Sequence, residues 1–232
     1  MLDRGARLAR RLAQEFLSRI GWPAGRNRHA LVGDARLADM KRAFQIAFLR
    51  SSGLRPGHTL LDLGCGTLRG GIPIIAYLEQ GHYCGIDIRP EVLVEARKEL
   101  EESGLSDKAP LLLNTSEAAE KLAGRRFDWI WAFSVLIHLS DDILRDTLPF
   151  VERHLADAGT FFANVRIGND PSGHWQGLPV VTRSLPFYQA EADRVGLATR
   201  VVGPLRDLGH VSGRAGQDDQ IMLAFTRKPR GG

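Results

Sequence analysis

The stretch "LLDLGCGTLRGG", residues 60–71, decides the fold of this chain. A short apolar run ends in an acid and passes directly into a glycine-rich loop, a pattern typical of a buried parallel strand followed by a ligand-binding turn. A phosphate-cradling P-loop is excluded, because Ile72 and Pro73 stand where its Lys-Ser/Thr pair would follow the glycines. The glycine spacing alone still permits a dinucleotide site, so the choice of ligand depends on other residues.

Short apolar runs alternate with helical patterns from His58 onward. Predicted strands lie at 59–63, 82–87, 109–114, 127–133, 159–167, 198–203 and 219–228. Predicted helices lie at 70–80, 90–103, 116–123, 141–155 and 186–196. Strands that alternate with helices predict a mostly parallel sheet with helices on both faces. The sequence therefore predicts an α/β doubly wound domain.

The N-terminal residues 1–57 differ from the rest of the chain in charge. They hold 12 Lys and Arg against 4 acids, so most of the basic surplus of the chain lies here. Residues 1–20 read as a basic amphipathic helix, and residues 34–53 as a second helix with Asp34 as its cap. We interpret residues 1–57 as a helical appendage or lid on the domain at 58–232. Contact of residues 1–20 with an anionic membrane surface, or with RNA, is the alternative.

The composition is that of an ordinary globular protein, with 44% hydrophobic and 25% charged residues. Cys65 and Cys84 lie in apolar stretches, where we expect small, reduced packing residues. No apolar run is long enough to span a bilayer, and no segment resembles a cleaved leader. We therefore expect a cytoplasmic protein. No pattern in the sequence specifies an oligomeric state.

Two acids at the ends of predicted strands indicate which class of ligand the loop binds. Asp62 stands two residues before the first glycine, where a carboxylate would repel a pyrophosphate and favour a cation. Asp87 ends the second predicted strand, where a ribose-binding acid belongs. A ligand with an ammonium group near the loop and a ribose further along fits both acids. S-adenosylmethionine has that shape.

Four segments together resemble the class I S-adenosylmethionine-dependent methyltransferases. They are "LLDLGCGTLRGG", "YCGIDIRPEVLVEARK", "FDWIWAFSVLIHLSDD" and "GTFFANV", in the order and spacing of that family. The resemblance runs from about Leu60 to the C-terminus and implies a seven-stranded, mostly parallel, Rossmann-like sheet. It also implies S-adenosylmethionine as the cofactor. The "SVLIHL" part is similar to a segment of many small-molecule members.

The resemblance implies which residues contact the cofactor. The loop residues Asp62, Gly64, Cys65 and Gly66 hold the methionine part, Asp87 binds the ribose hydroxyls, Ile88 packs on adenine, and Ala132 and Phe133 line the site. One of Asn114, Thr115 and Ser116 offers adenine a polar contact. Arg69 departs from the family pattern. It pairs with the cofactor carboxylate or with an acidic substrate, or it is a solvated surface arginine that helps solubility.

Methyl transfer from a sulfonium requires an aligned acceptor, exclusion of water and, for a hydroxyl acceptor, removal of a proton. His138 follows the fourth predicted strand and is the first candidate for the base, although a hydrogen-bonded histidine at a helix start is an equal reading. His174, with Trp175, closes over a substrate or belongs to an ordinary long loop. Ser140 and the acids after it read as a helix cap rather than metal ligands, so no metal is expected.

Three functions are compatible with these residues. The favoured one is methylation of an O or N atom of a small molecule or a sugar-like glycan precursor. The second is methylation of RNA recruited by the basic N-terminal segment; against it, "WAFSVLIHL" is not the Asn/Asp-Pro-Pro-aromatic signature of amino-group base methylation. The third is a domain that binds the cofactor without catalysis and regulates a partner.

Overall fold

A computed structural model describes residues 27–168, 173–175 and 178–229 of the chain. Its main feature is a seven-stranded sheet with the order β3-β2-β1-β4-β5-β9-β8. The strands of this sheet are β1 (Leu60–Leu63), β2 (Tyr83–Asp87), β3 (Leu111–Asn114), β4 (Phe127–Ala132), β5 (Leu155–Val165), β8 (Leu197–Pro204) and β9 (Ile221–Arg227). A separate two-stranded hairpin consists of β6 (Gly173–Trp175) and β7 (Leu178–Val180).

Seven α-helices are described. They are α1 (Ala38–Ser51), α2 (Gly71–Tyr77), α3 (Pro90–Glu102), α4 (Thr115–Lys121), α5 (Asp141–His154), α6 (Leu185–Arg194) and α7 (Ala215–Asp218). Short 3₁₀ helices occupy Asn27–Val32, Ala35–Leu37, Ser106–Lys108, Leu136–His138 and Leu205–Leu208. The helix predicted within residues 1–20 lies outside the described residues. Within the described part, no helix combines the length and the hydrophobicity needed to cross a membrane.

Local capping explains why several helices begin where they do. The Asn114 side chain accepts a hydrogen bond at the start of α4, while Glu117 reaches back to the Asn114 backbone in a capping box. The Ser140 hydroxyl accepts from the backbone N–H of Ile143, as predicted for the cap of α5. Asp34 also acts as a cap, but of the 3₁₀ turn Ala35–Leu37 that precedes α1.

The strand order reverses between β1 and β4, which are parallel neighbours at the centre of the sheet. All pairs from β3 to β5 are parallel, and β9 runs antiparallel to both β5 and β8. This arrangement confirms the predicted doubly wound, mostly parallel sheet. It leaves a crevice at the carboxyl ends of β1 and β4, where ligands of such sheets bind.

Helices cover both faces of the sheet and close two hydrophobic clusters. Trp131, Phe48 and Phe162 belong to the cluster on one face, and Ile130 and Phe161 to the cluster on the other. Helix α1 takes part in the first cluster and buries its apolar face there. The division of the chain at residue 57 therefore stays a prediction, whereas α1 itself packs into the core of the domain.

Two features of the fold differ from the predicted elements. Strand β5 begins at Leu155 rather than at residue 159, because Leu155 pairs with Phe127 before an irregularity in the β4–β5 register. The polar stretch 168–182 contains the β6–β7 hairpin, which has too few apolar residues to show a strand pattern.

Candidate active site

A cavity of about 790 Å³ opens at the carboxyl ends of β1 and β4. This volume lies in the upper half of the range of roughly 300–1,000 Å³ that is usual for small-molecule sites. The cavity is lined by the glycine loop after β1, the ends of β2 and β4, helices α1, α4 and α5, and the connection between β8 and β9. The crevice at the sheet reversal is therefore large enough to hold a small-molecule ligand.

The glycine loop bends under the cavity in a left-handed backbone conformation that favours glycine. Gly64 and Gly66 have φ angles of +71° and +59°. A Cβ atom on Gly64 would lie 2.5 Å from Val135, and one on Gly66 would lie 2.9 Å from Val32. Both glycines are thus required for the left-handed backbone and for the close approach of neighbouring segments.

Asp62 is buried at the end of β1 and lines the cavity. The Tyr83 hydroxyl donates a 2.6 Å hydrogen bond to its carboxyl group. Burial raises the pKa of Asp62 to about 7, and the charge of Asp87 adds to the effect, while the hydrogen bond from Tyr83 opposes it. A cationic group in the cavity would stabilise the ionised form of Asp62.

Asp87 ends β2 with its carboxylate held in place by the backbone. One oxygen accepts from the N–H of Gly66 at 3.1 Å, and the other from the N–H of Arg89 at 2.9 Å. Each oxygen keeps a second lone pair for a ligand hydroxyl. Ile88 follows immediately, lines the cavity and is 74% exposed, so an apolar surface lies open beside the carboxylate.

The residues after β3 and β4 divide into those that reach the cavity and those that do not. Of the three predicted after β3, Thr115 lines the cavity, whereas the Asn114 side chain caps α4 and donates to the carbonyl groups of Asp87 and Ile88. Ser116 donates its hydroxyl hydrogen to Asn114 instead. After β4, Phe133 lines the cavity, and Ala132 is packed in the core.

Ser134 follows β4 with a φ angle of +61°, which is unusual for a residue that is not glycine. Its backbone N–H donates a 2.7 Å hydrogen bond to the side chain of Asn164 on β5, and Gln220 in turn binds Asn164. This chain of hydrogen bonds offsets the strain of the Ser134 backbone at the cavity wall. No local pattern in the sequence indicates it.

The segment before α1 folds over the glycine loop. Leu31 accepts a hydrogen bond from the Arg89 side chain through its carbonyl, and Val32 accepts one from Arg69 at 2.8 Å. His29 lies 2.9 Å from the Thr67 hydroxyl. These contacts place the segment on the same side of the cavity as the loop.

Arg69 is 7% exposed and lines the cavity. Its Nε has no hydrogen-bond partner within the described residues. Burial lowers the pKa of Arg69 to about 10, and the positive charge of Arg42 contributes. The guanidinium remains protonated at neutral pH, so it offers an anion a buried charge with unused donor capacity.

The two histidines predicted as catalytic occupy different environments. His138 lines the cavity, and its Nδ1 lies 2.7 Å from the carbonyl oxygen of Pro179. This contact assigns the neutral tautomer with a proton on Nδ1, and burial lowers the pKa of His138. His174 is exposed on β6 and is not among the residues that line the cavity.

A third histidine, which the sequence reading did not single out, also lines the cavity. His210 is 1% exposed, and its Nδ1 lies 2.7 Å from the Asp218 carboxylate. Its Nε2 is buried without a partner in the described part of the chain. Phe44 and Phe133 pack around the ring. The "GH" of the β8–β9 connection carries no pattern that distinguishes it from a surface turn.

The cysteines and the acids of α5 do not form an additional site. Cys65 and Cys84 are buried free thiols, and burial raises the pKa of both thiol groups, which keeps them protonated. Among residues 27–168, 173–175 and 178–229, no group of three or more His, Cys, Asp or Glu side chains is arranged to hold a metal ion.

Comparison with known proteins shows what this chain is similar to. A family model described as a methyltransferase domain matches residues 61–161. The fold is similar to that of the glycopeptide N-methyltransferase MtfA in complex with sinefungin, with a TM-score of 0.61, 16% sequence identity, and coverage of 81% of this chain and 94% of that one. Magnesium protoporphyrin IX methyltransferase ChlM from Synechocystis PCC 6803 gives a TM-score of 0.62, 18% identity, and coverage of 92% and 90%.

A TehB-like S-adenosylmethionine-dependent methyltransferase from Corynebacterium glutamicum is similar as well, with a TM-score of 0.56, 20% identity, and coverage of 80% and 88%. At these identities the structural likeness concerns the fold. The family match covers the segment that carries both strand-end acids and the glycine loop. Residues 61–161 therefore match a methyltransferase domain, and the fold of the chain is similar to that of S-adenosylmethionine-dependent methyltransferases, in agreement with the motifs of the sequence.

Proposed function

We propose that the domain transfers a methyl group from S-adenosylmethionine to an oxygen or nitrogen atom of a small molecule or a sugar-like glycan precursor. The observation that carries the proposal is the extent of the cavity. It continues from the strand-end acids Asp62 and Asp87 to a second wall, built by α1 and the β8–β9 connection. A concave space of this size suits a small acceptor beside the cofactor.

The residues present fit the cofactor on three observations. The buried Asp62 carboxyl, with its raised pKa, suits the ammonium group of the methionine moiety. The fixed carboxylate of Asp87 suits the ribose hydroxyls, and the exposed Ile88 suits the adenine ring. The guanidinium of Arg69, with its unpaired Nε, suits the methionine carboxylate.

The other residues predicted to contact the cofactor are assigned from their position in the cavity and from their hydrogen bonds. Gly64, Cys65 and Gly66 line the cavity, so we assign them to the methionine part. We assign the contact with adenine to Thr115, because the polar atoms of Asn114 and Ser116 are engaged in capping α4. Phe133, directly after β4, lines the cavity and packs against Phe44 of α1 and His210 of the β8–β9 connection.

When bound, the cofactor supplies an electrophilic methyl group on a sulfonium. The protein aligns the acceptor, excludes water and removes a proton where the acceptor is a hydroxyl. His138 is our candidate for the base, since its Nδ1 is bound to the Pro179 carbonyl and its lowered pKa keeps the ring neutral. His174 is exposed on the hairpin strand β6 and does not line the cavity, so the proposal gives it no part in proton removal.

The described part of the N-terminal segment favours a small acceptor over RNA. Arg28 contacts Glu99 and Glu102 of α3, and Arg42 donates a 2.9 Å hydrogen bond to Glu99. Arg36 is paired with Asp34. These basic side chains are engaged in ion pairs with acids of the same chain, which reduces the charge available for a phosphate backbone. The similar MtfA and ChlM are named for a glycopeptide and a porphyrin acceptor.

The test is turnover of methyl-labelled S-adenosylmethionine with pooled metabolites, glycans and total RNA in separate reactions. We expect label in a metabolite or glycan fraction. Label in RNA would favour RNA as the methyl acceptor, recruited by the basic N-terminal segment. Tight cofactor binding without transfer to any fraction would favour the non-catalytic role.

Once an acceptor is known, His138 is tested directly. For a hydroxyl acceptor, His138→Ala should lower kcat by about 100-fold or more with little change in KM, which is the usual contribution of a general base. The matched control is His154→Ala, because His154 is buried away from the cavity against the Arg125 carbonyl. An unchanged kcat in His138→Ala would remove His138 from catalysis.

A further inference from the structure

The wall of the cavity between α1 and the β8–β9 connection carries unbalanced positive charge. Lys41 and Arg69 are each 7% exposed, and both line the cavity. Neither forms an ion pair with an acid anywhere in the described ranges. A buried cation without a partner costs free energy, so it persists at a site where something compensates it.

The acids nearest to Lys41 are already bound by other groups. Lys41 interacts electrostatically with Asp34 and Asp218. The Asp34 carboxylate accepts hydrogen bonds from Arg214, and the Asp218 carboxylate is bound by His210. Neither acid makes a hydrogen bond with the Lys41 ammonium. Neutralisation of the Lys41 charge therefore requires a negatively charged ligand in the cavity.

The electrostatic environment of Lys41 is consistent with this reading. Burial lowers the pKa of Lys41 to about 8, and the positive charges of Arg69 and Arg214 contribute. At pH 7 most of the Lys41 side chains still carry the proton. An anion in the cavity would favour the protonated form further, because an opposite charge nearby stabilises it.

Two polar atoms of the β8–β9 connection are also without partners. His210 Nε2 and Gln217 Oε1 are buried with no hydrogen bond to any described residue, and both side chains line the cavity. Buried polar atoms in native proteins are nearly always satisfied. Their position on the same wall as Lys41 indicates that this wall binds a polar ligand.

We propose that Lys41 binds an anionic group of the methyl acceptor, a carboxylate or a phosphate, at this wall. The proposal rests on the proposed function and names the class of its substrate. The cofactor also carries a carboxylate, but the position of Arg69 differs from that of Lys41. Arg69 is fixed to Val32 beside the glycine loop, whereas Lys41 neighbours Arg214 and Asp218 of the β8–β9 connection. We therefore assign the cofactor carboxylate to Arg69, which is held beside the glycine loop, and the acceptor anion to Lys41, which interacts with the β8–β9 connection as well as with Arg69.

The experiment uses inorganic sulfate as the probe, titrated by calorimetry at low ionic strength into the full chain saturated with S-adenosylhomocysteine. We expect one sulfate site that weakens at least tenfold in Lys41→Met, about 1.4 kcal/mol. Lys41→Arg should retain the site. The matched control is Lys121→Met, because Lys121 is exposed beside Glu120 and is not among the residues that line the cavity. Thermal denaturation verifies that each variant is folded.

The arms of this experiment separate the two sources of the anion. If Lys41 serves the acceptor, S-adenosylhomocysteine should bind Lys41→Met within twofold of the wild-type affinity, while Arg69→Met loses about tenfold. An equal loss in both variants would assign Lys41 to the cofactor carboxylate and overturn the proposal. Sulfate affinity unchanged in Lys41→Met would overturn it as well. No binding of S-adenosylhomocysteine by the wild-type chain would instead refute the proposed function.

Discussion

Ionisation of Asp62 should control cofactor binding in the range of pH just below neutral. Burial raises the pKa of Asp62 from an ordinary value of 3.8 to about 7 in the ligand-free protein. The ammonium of the methionine moiety favours the ionised carboxylate, so binding below pH 7 requires that Asp62 lose its proton. The affinity should therefore decrease as the pH falls through 7.

The size of the effect follows from the pKa. If only the ionised form binds, the fraction available is about nine-tenths at pH 8 and about one-tenth at pH 6. The affinity should then fall roughly tenfold between these values, or about 1.4 kcal/mol. Tyr83→Phe should move this fall to higher pH, because the hydrogen bond from Tyr83 opposes the rise of the Asp62 pKa.

The assay is calorimetric titration of S-adenosylhomocysteine at pH 6, 7 and 8 with the wild type, Asp62→Asn and Tyr83→Phe. Asp62→Asn should bind more weakly at pH 8 and show no dependence below pH 7. A wild-type affinity that is constant from pH 6 to 8 would refute the reasoning. So would the same dependence in Asp62→Asn, since the titrating group would then be another residue.

The same shift predicts how the stability of the ligand-free protein depends on pH. The folded-state pKa of Asp62 is above its unfolded value, so the contribution of the protonated carboxyl to stability is fully present below about pH 4 and is lost as the pH rises through about 7. Asp62→Asn should therefore be stabilised relative to the wild type at pH 8 and much less at pH 5. Thermal denaturation at both values measures the difference, and equal differences would contradict a raised pKa.

Three further predictions concern the site and its support. Asp87→Ala should weaken S-adenosylhomocysteine binding by about 1–3 kcal/mol through lost ribose hydrogen bonds, and equal calorimetric affinity would remove Asp87 from the site. In denaturant unfolding, Gly64→Ala should destabilise the protein more than Gly81→Ala. Both glycines have positive φ, but only at Gly64 would the added Cβ atom clash with another side chain. Equal losses of unfolding free energy would show that backbone strain alone is the cause. Glu99→Gln should cost about 1–3 kcal/mol in unfolding free energy, because it removes a charged partner of the buried Arg42 and Arg28, whereas the exposed Glu120→Gln should cost less than about 1 kcal/mol. A small loss for Glu99→Gln would mean that solvent replaces that ion pair.

Predictions from sequence succeeded where the signal is local. The alternation of apolar runs and helical patterns placed all seven strands of the main sheet, and the acids at the ends of the first two indicated the cofactor. Ser140 was recognised as a cap because capping depends on residues three apart. Asn114 shows the limit of such reasoning. Its side chain was a candidate for a polar contact with adenine, but its polar atoms form the hydrogen bonds of a helix cap instead.

Residues that approach the cavity from distant parts of the chain were not predictable in the same way. Lys41 and His210 are separated by most of the methyltransferase domain, and each lies in a segment whose own pattern indicates only a helix or a turn. Their meeting depends on β9 lying between β5 and β8, which brings the β8–β9 connection beside α1 at the cavity.

The sequence by itself determined the order of the elements, the glycine loop and the two strand-end acids, because periodicity and turn chemistry act over a few residues. Only the tertiary structure decided the burial of Arg69 and Lys41, the partner of His210 and the raised pKa of Asp62. These properties depend on which charges and apolar groups surround a side chain, and that is set by packing between segments far apart in the chain.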